Sequence, residues 1–83
     1  MPVPRRLIDF EFSPAALVQR IVRGALEQDM VRMHGGILAA FEIYGAQTAE
    51  RDVFTAARRL AAAFSPDCHN KVAEAIGSHA KSA

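Results

Sequence analysis

The chain has 83 residues, one cysteine and a formal net charge of +1 from ten cationic and nine acidic side chains. A domain of this size buries only roughly 60% of its unfolded surface, so the usual staples matter, and a lone Cys68 excludes both an internal disulfide and a thiolate zinc site. A near-neutral balance gives no general field for nucleic acid or an anionic membrane, and leaves such binding to local patches.

A reducing, cytoplasmic setting fits the cysteine usage. Arg5-Arg6 is followed by Leu7-Ile8-Asp9-Phe10-Glu11, where two acids interrupt any leader-like apolar run. The longest uncharged stretch, Met33 to Phe41, is about nine residues, short of the roughly 20 that span a bilayer, so no membrane role is expected. Eight of the ten cations are arginine and alanine comes in runs, the signature of a GC-rich, bacterial or phage genome.

Residues 1–6 contain Pro2 and Pro4 and read as an extended arm. Leu7 to Phe12 then alternate, with Ile8, Phe10 and Phe12 on one side and Asp9 and Glu11 on the other, the period of a short half-buried strand. A single strand is not stable alone. It either pairs with a second copy, pairs with a partner protein, or serves as a lead that lays its phenylalanines on the helices.

The tripeptide Phe-Ser-Pro occurs twice, at Phe12-Ser13-Pro14 and Phe64-Ser65-Pro66. In both copies serine can cap free amides, proline can take the first helical position, and the preceding phenylalanine stands where a hydrophobic staple begins. The repeat marks two helix starts and no duplicated unit.

From Ser13 the apolar residues Val18, Val22, Leu26, Met33, Ile37, Ala40 and Tyr44 hold one helical direction. That stripe crosses Gly35-Gly36, and two interior glycines cost about 2 kcal/mol against alanine, so a helix stop at Gly35 followed by a second short helix to Gly45 is expected. The glycines lack the Lys-Ser/Thr of a phosphate loop and the spacing of a dinucleotide turn, and no cofactor is expected. Asp29 stands within the stripe, where a carboxylate is costly to bury. It either pairs with Arg32 or anchors a partner arginine and fixes a register.

A further helix is expected from Thr48, as cap, to Phe64, with Val53, Ala57, Leu60 and Phe64 as its apolar stripe. Arg51, Arg58 and Arg59 lie away from that stripe with no acid four residues distant, a patch able to meet phosphates or an acidic protein surface. The last helix opens at Ser65, carries Val72, Ala75 and Ile76 on one face, and gives way to a frayed tail over 78–83.

Cys68-His69 is a poor nucleophile and base pair, because adjacent helical residues diverge by about 100°. Cys68 shares the face of Val72 and reads as a small buried hydrophobe. His69 and His79, about 15 Å apart along a helix, cannot share an ion, and His34 is expected to meet the C-terminal dipole of the first helix. No metal site follows.

Two DNA-binding templates fit poorly. A ribbon-helix-helix reading of the lead and "SPAALVQRIVRGAL" points Asp9 and Glu11 at phosphate, and a helix-turn-helix reading of "AARRLAAAFSPDCHNKVAEAIG" has a turn without glycine and opens its second helix on Asp67. The expected fold is an all-α single domain, a small bundle of three to four helices with an extended or strand-like lead. The expected function is that of a non-enzymatic interaction module, a regulator or inhibitor that occupies a surface of another protein. Ile8, Phe10, Phe12, Val22, Leu26, Met33 and Ile37 are the expected dimer or partner interface, in a homodimer, and Arg51, Arg58, Arg59 and Asp29 the expected partner-binding groups. The alternative is a homodimeric DNA-binding regulator that uses the arginine face of Arg51, Arg58 and Arg59 together with Lys71.

Overall fold

A computed structural model describes residues 11–82 of the chain. The expected arm, most of the lead, and with them Ile8 and Phe10, lie outside the described residues. What is described is helical, with no strand. Helix α1 spans Pro14–Leu26 and α2 spans Met30–Tyr44. A short α3, Ala46–Ala49, continues through a π-helical segment, Glu50–Phe54, into α4, Thr55–Phe64; α5 spans Pro66–Ser82.

Both Phe-Ser-Pro starts form as their chemistry dictates. Ser13 Oγ accepts from the Ala16 amide at 3.2 Å and Ser65 Oγ from the Cys68 amide at 3.0 Å, each with proline next in the chain. Phe12 packs against the core that Leu17 enters, and its carbonyl accepts a hydrogen bond from the Tyr44 hydroxyl. The second copy is less complete, since Phe64 stays 58% exposed.

The first long helix does not stop at Gly35. It ends at Leu26, and α2 runs unbroken through Gly35-Gly36. The turn is built from Glu27, Gln28 and Asp29. The Gln28 amide donates to the Ala25 carbonyl at 3.4 Å and the Asp29 amide to the Gly24 carbonyl at 2.8 Å, with Gln28 at φ 56°. This is the double closure of a Schellman turn, with glutamine where glycine is usual. Asp29 then caps α2, its Oδ1 accepting from the Arg32 amide at 3.0 Å. The carboxylate is therefore not stranded in a continuous apolar stripe, because the helix that would have carried the stripe past it has already turned.

The glycines explain why the chain turns here. A methyl group at Gly24 would stand 2.6 Å from the Met33 backbone nitrogen, and one at Gly36 would stand 2.9 Å from Ile21 Cγ1. Gly24 and Gly36 thus let α1 and α2 lie almost backbone against backbone as an antiparallel pair. At Gly35 an added methyl would meet nothing within 4 Å.

The helices α4 and α5 complete the bundle. Leu17, Ile21, Met33, Ile37, Val53, Phe54 and Val72 are shut off from solvent, and Phe41 and Phe54 pack with ring centroids 5.0 Å apart. Val22, Met33 and Ile37, expected at a dimer or partner interface, are 0–1% exposed within this single chain. The stripe is buried by the chain's own helices and is not on offer to a partner; Leu26 alone among the described helical members is substantially exposed, at 43%.

Two further expectations change. The third helix begins at Ala46, after Gly45 at φ 81°, and Thr48 makes no cap. Its π-helical segment shifts the phase downstream, so that adjacent Val53 and Phe54 are both buried and Ala61 takes the inward place expected of Phe64. At the other end α5 continues to Ser82, so 78–82 are helix and no frayed tail.

Alanine at the three glycines is expected to separate by contact. Gly35→Ala raises stability by up to about 1 kcal/mol, the helix-propensity gain alone, whereas Gly24→Ala lowers it by about 1–3 kcal/mol by forcing the helix pair apart. Gly36→Ala falls between, because a side-chain atom can yield. Urea midpoints at unchanged slope measure all three.

Candidate functional site

An open groove of about 630 Å³ lies between α1 and α2. Helix α1 contributes Gln19, Arg20 and Arg23, one helical turn apart or less, and α2 contributes Val31, Arg32, Gly35 and Ala39, with Phe12 and Asp29 also lining it. The outward face of α2 therefore has an apolar floor whose central position carries no side chain. Val31 is 85% exposed and neighbouring Leu38 49%. Val31 is therefore an exposed apolar side chain at the mouth of the groove.

Three guanidinium groups frame that floor. Arg20 stacks over the Phe12 ring with its carbon 5.5 Å from the centroid. Arg32 makes two long, half-exposed ion pairs, to Glu27 at 3.8 Å and Asp29 at 3.9 Å. Arg23 is exposed and has no carboxylate partner among the described residues. Asp29 already spends Oδ1 on the α2 cap, so the rim carries an excess of positive charge with donors to spare.

The arginines expected to bind a partner are placed differently. Arg51 pairs with adjacent Asp52 at 3.0 Å. Arg58 pairs with Glu50, eight residues away, and Thr55 Oγ1 donates to the Glu50 carboxylate at 2.9 Å. An ideal α-helix would leave residues eight apart about 80° out of line, but the wider π-helical turn brings Glu50 under Arg58. None of the three arginines has an acid four residues away, yet two of them pair with acids of their own helix at other spacings. Arg59 remains exposed. The Arg58 hydrogen bond lowers the Glu50 carboxyl below its usual value against a smaller opposing effect of burial, and Thr55 adds to the lowering.

The thiol behaves as a core atom. Cys68 is 4% exposed, and burial raises its pKa above the ordinary thiol value, with Lys71 opposing and Asp67 adding to the rise. A thiol pushed in that direction is a poor nucleophile near neutrality. His69 Nδ1 lies 3.4 Å from the Asn70 side chain, turned to its own helical neighbour.

One constellation escaped the sequence reading. His34 Nδ1 and His79 Nε2 stand 2.8 Å apart, joining α2 to α5. His34 lies near the start of α2, so it does not meet the C-terminal dipole of α1. The two residues are 45 positions apart, and no local spacing announces them. Among the described residues no three of His, Cys, Asp and Glu gather as a full metal centre. Compared with protein families, curated proteins and solved structures, the chain matches none.

Two measurements check this electrostatic picture. Because the folded Glu50 value is depressed, its ion pair stabilises the fold above the unfolded carboxyl value and is lost as pH falls through the folded one. The stability deficit of Glu50→Gln is therefore expected at neutral pH and is expected to vanish well below pH 4.5, the ordinary value. An equal deficit at both would contradict the pairing. For Cys68, thiol-specific labelling of the native protein is expected to be at least tenfold slower than in denaturant, and equal rates would place the thiol outside the core.

Proposed function

We propose that the protein is a non-enzymatic interaction module, a regulator or inhibitor that acts by occupying a surface of a partner protein, and that the α1–α2 groove is where it does so. The observation that carries this reading is the combination of Val31 at 85% exposure with Arg23, which has no carboxylate partner among the described residues, across the same groove. Such a surface fits an amphipathic segment with acidic side chains. Its apolar residues would lie over Val31, Gly35 and Ala39 and its carboxylates would meet Arg20, Arg23 and Arg32, a helix-in-groove arrangement with charge complementarity at the rim.

Several features support a binding role over a catalytic one. No polar or charged side chain is buried among the described residues, and no buried side-chain nitrogen or oxygen there lacks a partner. The DNA-binding alternative leaned on Arg51, Arg58, Arg59 and Lys71, of which Arg51, Arg58 and Lys71 face carboxylates of their own helix. The homodimer expectation no longer draws support from Val22, Met33 and Ile37, which are interior.

Selection from a displayed random-peptide library tests the proposal. Enrichment of peptides that combine acidic and apolar residues is expected, with binding weakened at least tenfold by Arg23→Glu and by Val31→Asp and unchanged by Arg59→Glu. Peptides with no acidic bias, or binding that survives both groove variants, would defeat it. Salt-sensitive binding of duplex DNA that is lost in Arg58→Glu/Arg59→Glu would replace it with the nucleic-acid reading.

A further inference from the structure

The His34–His79 pair lies outside the groove and plays no part in the function proposed for it. Both side chains are half-buried, and the ring nitrogens face each other across the α2–α5 contact at 2.8 Å with centroids 5.0 Å apart and planes 64° apart. In the hydrogen-bonded state one nitrogen carries the proton and the other supplies a lone pair. Neutral imidazole nitrogens brought together from two helices are also the commonest beginning of a transition-metal site.

The geometry is close to what an ion requires. Two imidazole nitrogens about 2.0–2.1 Å from a tetrahedral ion stand roughly 3.3 Å apart, with ring centroids roughly 5.2 Å apart. The observed centroid separation is already 5.0 Å, so tilting the rings, with the donor ring's proton passing through solvent to its other nitrogen, lets both facing nitrogens offer lone pairs to one ion. Open space adjoins His34. A cavity of about 220 Å³ is lined by His34, Met30, Met33, Lys71, Glu74 and Ala75, among others. The Lys71 cation works against a metal, but it lies 3.5 Å from Asp67, which offsets part of its charge.

We propose that His34 Nδ1 and His79 Nε2 form a two-imidazole site for a divalent transition ion of the nickel, copper and zinc class, completed by water, that clamps α5 to α2. Imidazole donors favour these borderline ions over magnesium or calcium, which prefer oxygen. With two protein ligands the site is an exchangeable clamp between helices and supplies no catalytic centre. Binding to the folded state alone raises apparent stability by mass action, so the clamp has a direct thermal signature.

Thermal unfolding and calorimetric titration of the full chain with nickel chloride and zinc chloride test this, with magnesium chloride as the control ion. A saturable rise in Tm and one equivalent bound are expected for nickel and zinc, and no change for magnesium. His34→Gln and His79→Gln are each expected to weaken binding at least tenfold, and His69→Gln to leave it unchanged. Should either variant fail to fold, nickel-induced broadening of the wild-type histidine ring signals gives the same answer, expected at His34 and His79 together. No binding, undiminished binding in both variants, or broadening centred on His69 would overturn the proposal.

Discussion

The approach of α1 to α2 at Gly24 and Met33 is the constraint on which the remaining structure rests. A methyl group there would stand 2.6 Å from a backbone nitrogen, so the two helices are in contact at the main chain and not only through side chains. Contact that close requires the chain to reverse within three residues, and Gln28 in a left-handed conformation with Asp29 as cap accomplishes it. Once the pair is closed, Leu17, Ile21, Met33 and Ile37 form one side of the core, on which the buried residues of the π-helical segment, α4 and α5 then pack.

The same constraint creates the groove. Because α1 and α2 are joined tightly along their inner faces, their outer faces diverge and leave Arg20 and Arg23 on one wall and Val31, Arg32, Gly35 and Ala39 on the other. Glycine serves two opposite ends in this hairpin. Gly24 and Gly36 are small because a backbone or side chain lies against them, whereas Gly35 faces open space and leaves the groove floor flat. The proposed binding surface and the helix contact are therefore two consequences of one turn, and a change that opens the turn would be felt at both.

How much of this could be read from the chain depends on whether the cause is local. Ser13-Pro14 and Ser65-Pro66 act on amides three residues away, so both helix starts were legible, as was the break at Gly45. The turn at Gln28 was not. Hydrophobic period reports which face of a helix is buried and is silent on its direction, so two antiparallel helices sharing a core kept the phase from Val22 to Ile37 as a single helix would. Asp29 was the available signal, a cap residue in the middle of an apolar run. Glutamine in the glycine position of the turn, the π-helical shift that unites Glu50 with Arg58, and the meeting of His34 with His79 depend on contacts that no nearby residue encodes.

Burial within one chain also accounts for the altered interface. The stripe containing Val22, Met33 and Ile37 is apolar whether its cover is a second molecule or another helix of the same chain, and only the packing of α4 and α5 decides between them. The claim that decides most is the position of the turn, and backbone nuclear magnetic resonance tests it directly. The account requires Overhauser contacts between Gly24 and the Met33 amide, non-helical shifts at Glu27 to Asp29, and uninterrupted helical shifts through Gly35 and Gly36. Helical shifts that continue through Gln28 with a break at Gly35-Gly36, and no contact between Gly24 and Met33, would contradict it.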